Sequence, residues 1–386
     1  RRESHQATDI AMYEITIKPQ WIIRRQGGPA LPLRVVELLV KVHEYGSLSS
    51  ACKASGTSYR HAWDLLREAE QLFGEALIVM QRGKGSRLTA LGEKLVWADR
   101  RVGARLSPLL DSLASELGAE IEKVVSAVPA LLRIHASHGF SIQTLHNFLG
   151  TAGVPNELKY QGSLEAVVAL HNGECDVAGF HVPLGEFEAP VLAHYRPWMT
   201  LRSQKIINIV TRRQGLMVAR GNPKEIYQIR DLARADVHFI NRQADSGTRL
   251  LVDLQLSKEG IGPAQIKGYD QCEYTHAAVA AFVASGMADA GYGVETPARQ
   301  FKLDFIPGPT ERYCLMCHEK ALASPSMQKM LAILRSEDYN AAVNQLPGYH
   351  TSESGIVMEL DQVFSALEDT SRHQKKRAGS KSNRAK

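Results

Sequence analysis

Apolar and polar positions recur with a helical period through residues 46–74, which predicts two short helices joined by a tight turn. Ser47 and Ser58 stand where each helix would begin, and a hydroxyl there can accept an otherwise unpaired backbone N–H. Gly56 lies between them, where the turn requires a positive φ. The second helix has an inward apolar stripe of four residues: Ala62, Leu65, Leu66 and Ala69. The pattern predicts a helix-turn-helix whose second helix enters the DNA major groove.

Two neighbouring segments distinguish this motif from an ordinary pair of helices around a glycine. Residues 31–44 read as a further helix, and residues 76–80 as a short strand before the glycine-rich basic tip Q-R-G-K-G-S-R-L-T. A basic hairpin after a helix-turn-helix is typical of a wing that contacts phosphates. The sequence therefore predicts a winged helix-turn-helix. The predicted DNA-binding residues are Ser58, Tyr59, Arg60, His61, Arg67, Arg82, Lys84 and Arg87.

The same residues carry a resemblance. S-Y-R-H-A-W-D at 58–64 and L-T-A-L-G at 88–92 resemble the DNA-binding domain of the molybdate-responsive ModE regulators. The segment is also similar to LysR-type regulators, which have small residues where Ala51 and Cys52 stand. The resemblance covers residues 31–106 and implies DNA binding.

A long helical pattern follows, with apolar residues three to four positions apart through residues 89–117. One interpretation is a core helix. We favour a linker helix that pairs with a second copy through residues such as Leu95, Val102 and Leu106, because a two-fold dimer matches a palindromic operator. A homodimer is expected, and a tetramer is left open.

Strand and helix patterns alternate from residue 131, which predicts a mostly parallel sheet covered on both faces and divided into two α/β lobes around a small ligand. The predicted strands are 131–136, 158–161, 175–181, 206–211, 215–220, 237–241, 288–292 and 313–318, with helices at 140–149, 164–172, from 247, and at 275–285. A further strand is predicted at 15–23.

Three strand-to-helix junctions are rich in hydroxyl, glycine and imidazole groups, and ligands bind where such junctions meet. Any one junction could be only a good helix cap, but three in one two-lobed domain favour a binding site for a small anion. The predicted ligand-binding residues are Ser137, His138, Ser163, Ser246, Gly247, Thr248, Arg249, Tyr274 and His276. Arg249 is the expected cation of the site.

This half also carries a resemblance. N-R-Q-A-D-S-G-T-R at 241–249, E-Y-T-H at 273–276 and A-S-G-M-A-D-A-G-Y-G at 284–293 resemble the periplasmic-binding-protein-like (type II) domain of molybdenum-related and LysR-like proteins. The resemblance implies transcription control by a small anion, either molybdate or tungstate, or formate as in regulators of formate dehydrogenase genes. The paired C-terminal oxyanion-binding domains of ModE are not recognisable, so the ModE ligand cannot be carried over.

The positive charge of the chain is concentrated in particular segments. The 386 residues carry a net charge of +5, yet the last fifteen hold seven Lys or Arg and no acid. The expected divisions are an N-terminal extension 1–28, a winged helix-turn-helix 29–92, a linker or dimerisation helix 93–127, a two-lobed sensing domain 128–370 and a basic disordered tail 371–386. Between residues 82 and 105 there are seven basic and two acidic residues, which suits a local DNA contact.

Cysteine spacing and the shortness of the apolar runs indicate the cellular compartment. Five irregularly spaced cysteines suit free thiols, and the chain shows no apolar run of about 18 residues and no apolar signal region at its start, so we expect a cytoplasmic protein without membrane contact. Cys314-Leu-Met-Cys317-His318 spells a haem-attachment pattern but reads as a buried strand. We expect no cofactor, metal or catalytic residue.

Two rival functions remain open. An enzyme would use the α/β half for catalysis and the winged domain as a tether, and it would show an ionisable pair within reach of bound substrate. A DNA-binding protein whose α/β half only assembles oligomers would show bulky residues in place of Ser137, Ser163 and Ser246, where small residues stand.

Overall fold

The computed structural model describes residues 13–81, 85–125 and 131–367. Its N-terminal domain consists of three helices and a two-stranded antiparallel hairpin, followed by a long helix. These elements are α1 (Leu33–Tyr45), α2 (Leu48–Ser55), α3 (Tyr59–Phe73), β1 (Ile78–Gln81), β2 (Gly85–Leu88) and α4 (Ala90–Val125). The order confirms the predicted winged helix-turn-helix.

The helix caps lie where the sequence predicted them. The Ser47 hydroxyl accepts from the Ser50 N–H at 3.1 Å, and the Ser58 hydroxyl accepts from the His61 N–H at 3.2 Å. Gly56 ends α2 with a φ of 64°, which favours glycine. The predicted apolar stripe of α3 is buried, and the remaining α3 candidates are exposed: Ser58, Tyr59, Arg60, His61 and Arg67. The first turn of α3 is therefore free to contact DNA.

Replacement of Ser47 by alanine is expected to loosen α2 locally. An N-cap hydroxyl contributes about 1 kcal/mol to helix stability. Without it, the open fraction of the first turn should rise about fivefold, and its amides should exchange about fivefold faster. Amide hydrogen exchange in the full chain measures this rate. Ser47→Asp keeps a cap and should leave the rate near that of the original chain; equal exchange in the Ala variant would show that the cap contributes nothing.

Three predictions for the N-terminal region have three different outcomes. Residues 15–23 form no strand; instead Trp21 packs on the domain core, and its Nε1–H donates to Asp99 Oδ1 at 3.1 Å. Arg87 is exposed on β2, as expected of a wing residue. Arg82, Lys84 and the basic tail lie outside the described residues.

Helix α4 starts before the predicted boundary at residue 93 and belongs to both halves of the chain. Its first turns complete the core of the winged domain, because Leu95 and Val96 are buried there. Leu95 is therefore wrongly placed in the predicted dimer seam. Farther along, Leu109, Leu113 and Leu117 are 60%, 44% and 48% exposed. None of the helices in the described ranges has the length and apolarity that a membrane span requires.

The second domain begins at residue 131 and alternates strands with helices. Its elements are β3 (Leu132–Ala136), α5 (Phe140–Thr151), β4 (Asn156–Tyr160), α6 (Ser163–His171), β5 (Val177–Pro183), α7 (Glu188–Tyr195), β6 (Gln204–Val218), β7 (Phe239–Arg242), α8 (Gly247–Lys258), β8 (Cys272–Glu273), α9 (His276–Ala284), β9 (Ala290–Val294), α10 (Glu295–Gln300), β10 (Asp304–His318), α11 (Pro325–Arg335), α12 (Glu337–Asn344), β11 (Tyr349–His350), β12 (Val357–Glu359) and α13 (Leu360–Val363). The α/β class is confirmed.

The prediction of a mostly parallel sheet is wrong, because the sheet is mixed. Its strand order is β4-β3-β5-β10-β6-β9-β7-β8, with β11 and β12 paired to β6. β6 and β10 are antiparallel to each other and to the strands beside them. The strands predicted at 206–211 and 215–220 are one continuous strand, β6. The polar residues 212–214 and the following glycine suggested a break, but they lie within the strand, where β6 passes from one lobe to the other.

The two long strands divide the sheet into two lobes. β10 pairs with β5 through residues 311–317, and β6 pairs with β9 through residues 214–218. The first lobe therefore contains β3, β4 and β5, and the second contains β7, β8 and β9, with separate apolar cores. Cys314 and Cys317 are fully buried in β10, as the sequence predicted for that segment. The carboxyl ends of β3, β4, β5 and β7 face the cleft between the lobes, where four helices begin.

Candidate functional site: a polar cleft between two lobes

The cleft contains a cavity of about 540 Å³. Its walls come from both lobes and from one side of α4. Eight of the nine predicted ligand-binding residues line it: Ser137, His138, Ser163, Ser246, Gly247, Thr248, Tyr274 and His276. Sequence reasoning therefore identified where the strand ends meet, because each of these residues lies at the end of a strand or the start of a helix.

His181 also lines the cavity, although it is not among the ligand-binding residues predicted from sequence. Its Nδ1 lies 3.1 Å from Ser163 Oγ and 3.3 Å from Ser137 Oγ. A Cβ on Gly247 would lie 2.4 Å from His181 Nε2, so only glycine allows the start of α8 to pack here. The imidazole thus joins β5, α6 and α8 across the two lobes.

A buried ion pair lies where the long strands cross. Arg212 Nε on β6 donates to Glu311 Oε1 on β10 at 2.5 Å, and both side chains are 1% exposed. Burial alone would raise the pKa of Glu311, but His181 and Arg212 outweigh it and lower that pKa. Neither terminal nitrogen of Arg212 has a hydrogen-bond partner within the described residues, and Nη1 lies 3.0 Å from the ideal Cβ position of Gly139. One guanidinium nitrogen, Nη1, therefore lies beside the start of α5.

Arg242 is a second buried cation, at the end of β7 and in the wall of the cavity. Its Nη2 donates to the Tyr274 carbonyl at 3.0 Å, and its Nε donates to Gln243 Oε1 at 3.1 Å. Burial, followed by repulsion from Arg212, lowers its pKa to about 10, so it remains charged at neutral pH. Within the described ranges it forms no ion pair, and Nη1 has no hydrogen-bond partner. Arg242 is therefore a charged donor that belongs to no ion pair, although the carboxylates of Asp245 and Glu311 act on it from beyond ion-pair distance.

Arg249, the cation expected from sequence, does not line the cavity. Its guanidinium lies 3.9 Å from the centre of the Tyr269 ring, and its Nε donates to Asp253 Oδ1 at 3.3 Å. Its Nη1 donates to the Arg242 carbonyl at 3.1 Å. The prediction is wrong for this side chain because residues within α8 and on its outer side satisfy the guanidinium. Arg242, seven residues earlier in the same quoted motif, has the position expected of Arg249.

Three imidazoles near these cations are neutral at pH 7. Burial, with repulsion from Arg242 and Arg212, lowers the pKa of His138 to about 4. Burial also lowers the pKa of His181 to about 4, although Glu311 opposes the shift. The pKa of His276 is lowered well below its usual range by the same burial and cations, and its Nδ1 has no partner in the described part of the chain. Neutral imidazoles can each donate one hydrogen bond without adding charge.

The buried imidazoles predict a stability loss in acid. Between about pH 6.5 and 4 the unfolded chain binds protons at His138 and His181, whereas the folded chain does not. The free energy of unfolding is therefore highest above this window and falls as the pH falls through it. Thermal unfolding at pH 7 and pH 5 should show a lower midpoint at pH 5, and a smaller decrease in the double variant His138→Asn, His181→Asn. An equal decrease in both chains would assign the effect to other groups.

The floor therefore combines one unpaired cation, neutral imidazoles, three serine hydroxyls and the first turns of helices, whose N–H groups have no partner within their own helix. This set suits an anion, since the hydroxyls and N–H groups add donors at little desolvation cost. The lining also contains four carboxylates, Glu116, Glu157, Glu165 and Asp245, and two further cations, Arg105 and Lys159. Among these charged groups, only Arg242 is buried beside the neutral donors, so the anion position is assigned to it.

Comparison with known protein families gives two matches. Residues 33–93 match the family of bacterial regulatory helix-turn-helix proteins of the lysR family. Residues 148–335 match the PBP superfamily domain. The two matches coincide with the winged domain and with the two-lobed domain.

Individual relatives cover different shares of the chain. The uncharacterized protein YvgK of Bacillus subtilis (strain 168) is 38% identical over 203 residues, which are 52% of this chain and 64% of that protein. The molybdenum transport protein ModE of Azotobacter vinelandii is 26% identical over 169 residues, covering 41% of this chain and 62% of ModE. The full-length LTTR LysG of Corynebacterium glutamicum, solved with bound effector Arg, shares 16% identity and a TM-score of 0.38 over 78% of this chain and 95% of LysG.

Proposed function

We propose that this chain, which joins a lysR-family helix-turn-helix to a PBP superfamily domain, is a LysR/ModE-like transcriptional regulator that binds operator DNA and responds to an anion in its cleft. The observation that carries the proposal is Arg242, a buried cation that forms no ion pair with the described residues and lies among neutral donors. A single anion would satisfy both its charge and its unpaired Nη1.

DNA binding is assigned to the exposed first turn of α3. Ser58, Tyr59, Arg60 and His61 all face solvent there, whereas the opposite face is buried in the domain core. Arg67 lies farther along the exposed face, and the wing adds Arg87. Base contacts then come from α3, and phosphate contacts come from the wing.

The partners of this proposal are duplex operator DNA, a small-molecule anion and a second copy of the chain in the cytoplasm. A homodimer suits a two-fold operator, and a tetramer is two such dimers. The exposed apolar side chains near the end of α4, which include Leu117 and Val124, support a contact with a second copy. Val102 and Leu106 of the predicted seam are only half-buried and remain candidates for it.

The candidate anions are formate and the oxyanions molybdate and tungstate. ModE, with its 26% identity, supports an oxyanion. Titration calorimetry of the full chain with formate, molybdate, tungstate and sulfate decides among them, together with mass spectrometry of compounds that co-purify. Operator binding should change at least severalfold in the presence of the anion that binds. If no anion binds, the sensing function fails while DNA binding stays open.

An enzyme is the second candidate, because Ser163 and Ser137 lie within hydrogen-bond distance of His181. A serine nucleophile needs a basic imidazole oriented by a carboxylate. His181 has a pKa of about 4, and its Nε2 is 3.9 Å from Glu311 Oε2. The other oxygen of this carboxylate, Oε1, accepts from Arg212 Nε. These values favour a binding site. Hydrolysis of p-nitrophenyl acetate that disappears in Ser163→Ala would reverse this preference.

A further inference from the structure

Helix α4 is a wall of the binding cavity. Seven of its residues line the cavity: Arg105, Leu106, Pro108, Leu109, Ser112, Leu113 and Glu116. Leu109 is 60% exposed and Leu113 is 44% exposed. Large apolar side chains that line a cavity at this exposure are typical of ligand contacts.

Two contacts hold α4 on the second lobe: an ion pair, and a hydrogen bond to a helix carbonyl that Pro108 leaves without its usual partner. Arg101 Nε donates to Glu273 Oε1 at 3.0 Å, and Glu273 is 1% exposed. Pro108 has no N–H, so the Ala104 carbonyl four residues earlier loses its usual helical partner. The Thr275 hydroxyl donates to that carbonyl at 2.8 Å, and Thr275 also caps α9, whose first residue is His276.

The first lobe holds the same helix through its edge strand. The Ser115 hydroxyl accepts from the Leu158 N–H at 2.8 Å, and the Ser112 hydroxyl accepts from the Tyr160 N–H at 2.9 Å. Both N–H groups belong to β4, which pairs only with β3. Because both lobes bind α4, the apolar wall is part of the site.

Volume and charge then limit the ligand. An oxyanion of five heavy atoms needs on the order of 100 Å³, judged from about 30 Å³ for a water molecule. The cavity of about 540 Å³ lies instead in the range of sites for organic ligands. Four carboxylates line the cavity against two further cations, Arg105 and Lys159, and this excess of negative charge opposes a second anionic group. The two lobes are already in contact beside the floor, where Gly247 meets His181. A closing movement of the lobes at this point would therefore not remove the rest of the cavity volume.

From this geometry we infer that the effector is an organic compound with one anionic group, which binds the floor at Arg242, and an apolar body, which lies against Leu109 and Leu113. The inference rests on the proposed function for the anion at the floor. It differs in assigning most of the cavity to an apolar part that formate and molybdate lack. The same contact places the effector against the helix that begins in the winged domain.

A series of straight-chain carboxylates tests the inference, with titration calorimetry of the full chain against formate, acetate, butyrate and hexanoate, beside molybdate. Each buried methylene contributes about fourfold in affinity. Affinity should therefore rise by about this factor for each added methylene from acetate to hexanoate. In the double variant Leu109→Ser, Leu113→Ser the rise should flatten, whereas the acetate affinity should stay within twofold of the original chain.

Leu117→Ser is the matched control, since Leu117 is 48% exposed on the same helix but does not line the cavity. Its affinity series should equal that of the original chain. If formate or molybdate binds and chain length has no effect, the proposed function survives and this inference is wrong. An unchanged series in the double variant, with loss of the dimer in sedimentation, would assign these leucines to a second copy and also overturn it. If neither carboxylates nor molybdate bind, the anion site itself fails.

Discussion

Replacement of Arg242 by methionine should weaken anion binding by about 10-fold to 100-fold. Methionine fills a similar length but removes the charge and the unpaired Nη1 donor, and a hydrogen bond to a charged group contributes roughly 1.5–3 kcal/mol. The loss should be larger than that for any single hydroxyl of the floor, because those hydroxyls are neutral. Titration calorimetry of the full chain with the anion that binds the original chain measures the effect.

Arg249→Met is the matched control for that experiment. Both arginines belong to the stretch 241–249, yet the Arg249 guanidinium is held by Tyr269 and Asp253 outside the cavity. Its replacement should change anion affinity by less than about threefold. A larger loss for Arg249→Met than for Arg242→Met would return the cation of the site to the position expected from sequence. Arg242→Lys should recover only part of the affinity, because an ammonium lacks the planar pair of donors.

The contrast between these two arginines shows what a sequence can and cannot predict. The stretch 241–249 was recognised as a strand-to-helix junction, and it forms one: β7 ends at Arg242, and α8 begins at Gly247. Which cation faces the ligand depends on the rotamer of each side chain. Tyr269 and Asp253 determine that rotamer for Arg249, and neither lies in the motif.

His181, Arg212 and Glu311 illustrate a second limit. His181 ends a predicted strand, whereas Arg212 lies in the polar run 211–214 and Glu311 lies just before the predicted strand 313–318. The three side chains come together because β5, β6 and β10 run side by side. Only His181 gave a signal in the sequence, as a polar residue within a buried strand, which costs free energy unless it is paired or functional. The order β5-β10-β6 arises from pairing between segments about 100 residues apart, which local periodicity does not encode.

Local patterns were sufficient where the structure is local. In the winged domain, the stripe from Ala62 to Ala69, the two serine caps and the glycine turn all lie within 29 residues, and each is found as predicted. The linker was predicted as a helix for the same reason. Its contact with the cleft was not, because Pro108 and Thr275 are separated by 167 positions and meet only when both lobes are folded.

Helix α4 connects the cleft to the winged domain. Leu95 and Val96 lie in the winged-domain core, whereas Ala104 and Ser112 are bonded to the two lobes of the sensing domain. The two attachments are almost adjacent, because Trp97, the residue after Val96, already stacks on Phe301 of the second lobe with ring centroids 5.8 Å apart. A ligand that shifts this segment therefore moves the winged domain with it. A tenfold change in operator affinity needs about 1.4 kcal/mol, which a few changed contacts can supply.

Replacement of Arg60 by alanine should weaken binding to the cognate operator by about 5-fold to 150-fold and binding to random DNA much less. Arg60 is exposed in the first turn of α3, and a good base contact contributes roughly 1–3 kcal/mol of discrimination. Tyr59, 44% exposed beside it, should behave similarly when replaced by alanine.

Arg87→Ala on the wing is the comparison, because loss of a phosphate contact weakens both DNAs alike and reduces the salt dependence of binding. Binding measured on both DNAs at several salt concentrations separates the two roles. Equal losses on both DNAs for Arg60→Ala would assign it to the phosphate backbone, and an unchanged salt slope for Arg87→Ala would remove the wing from the interface.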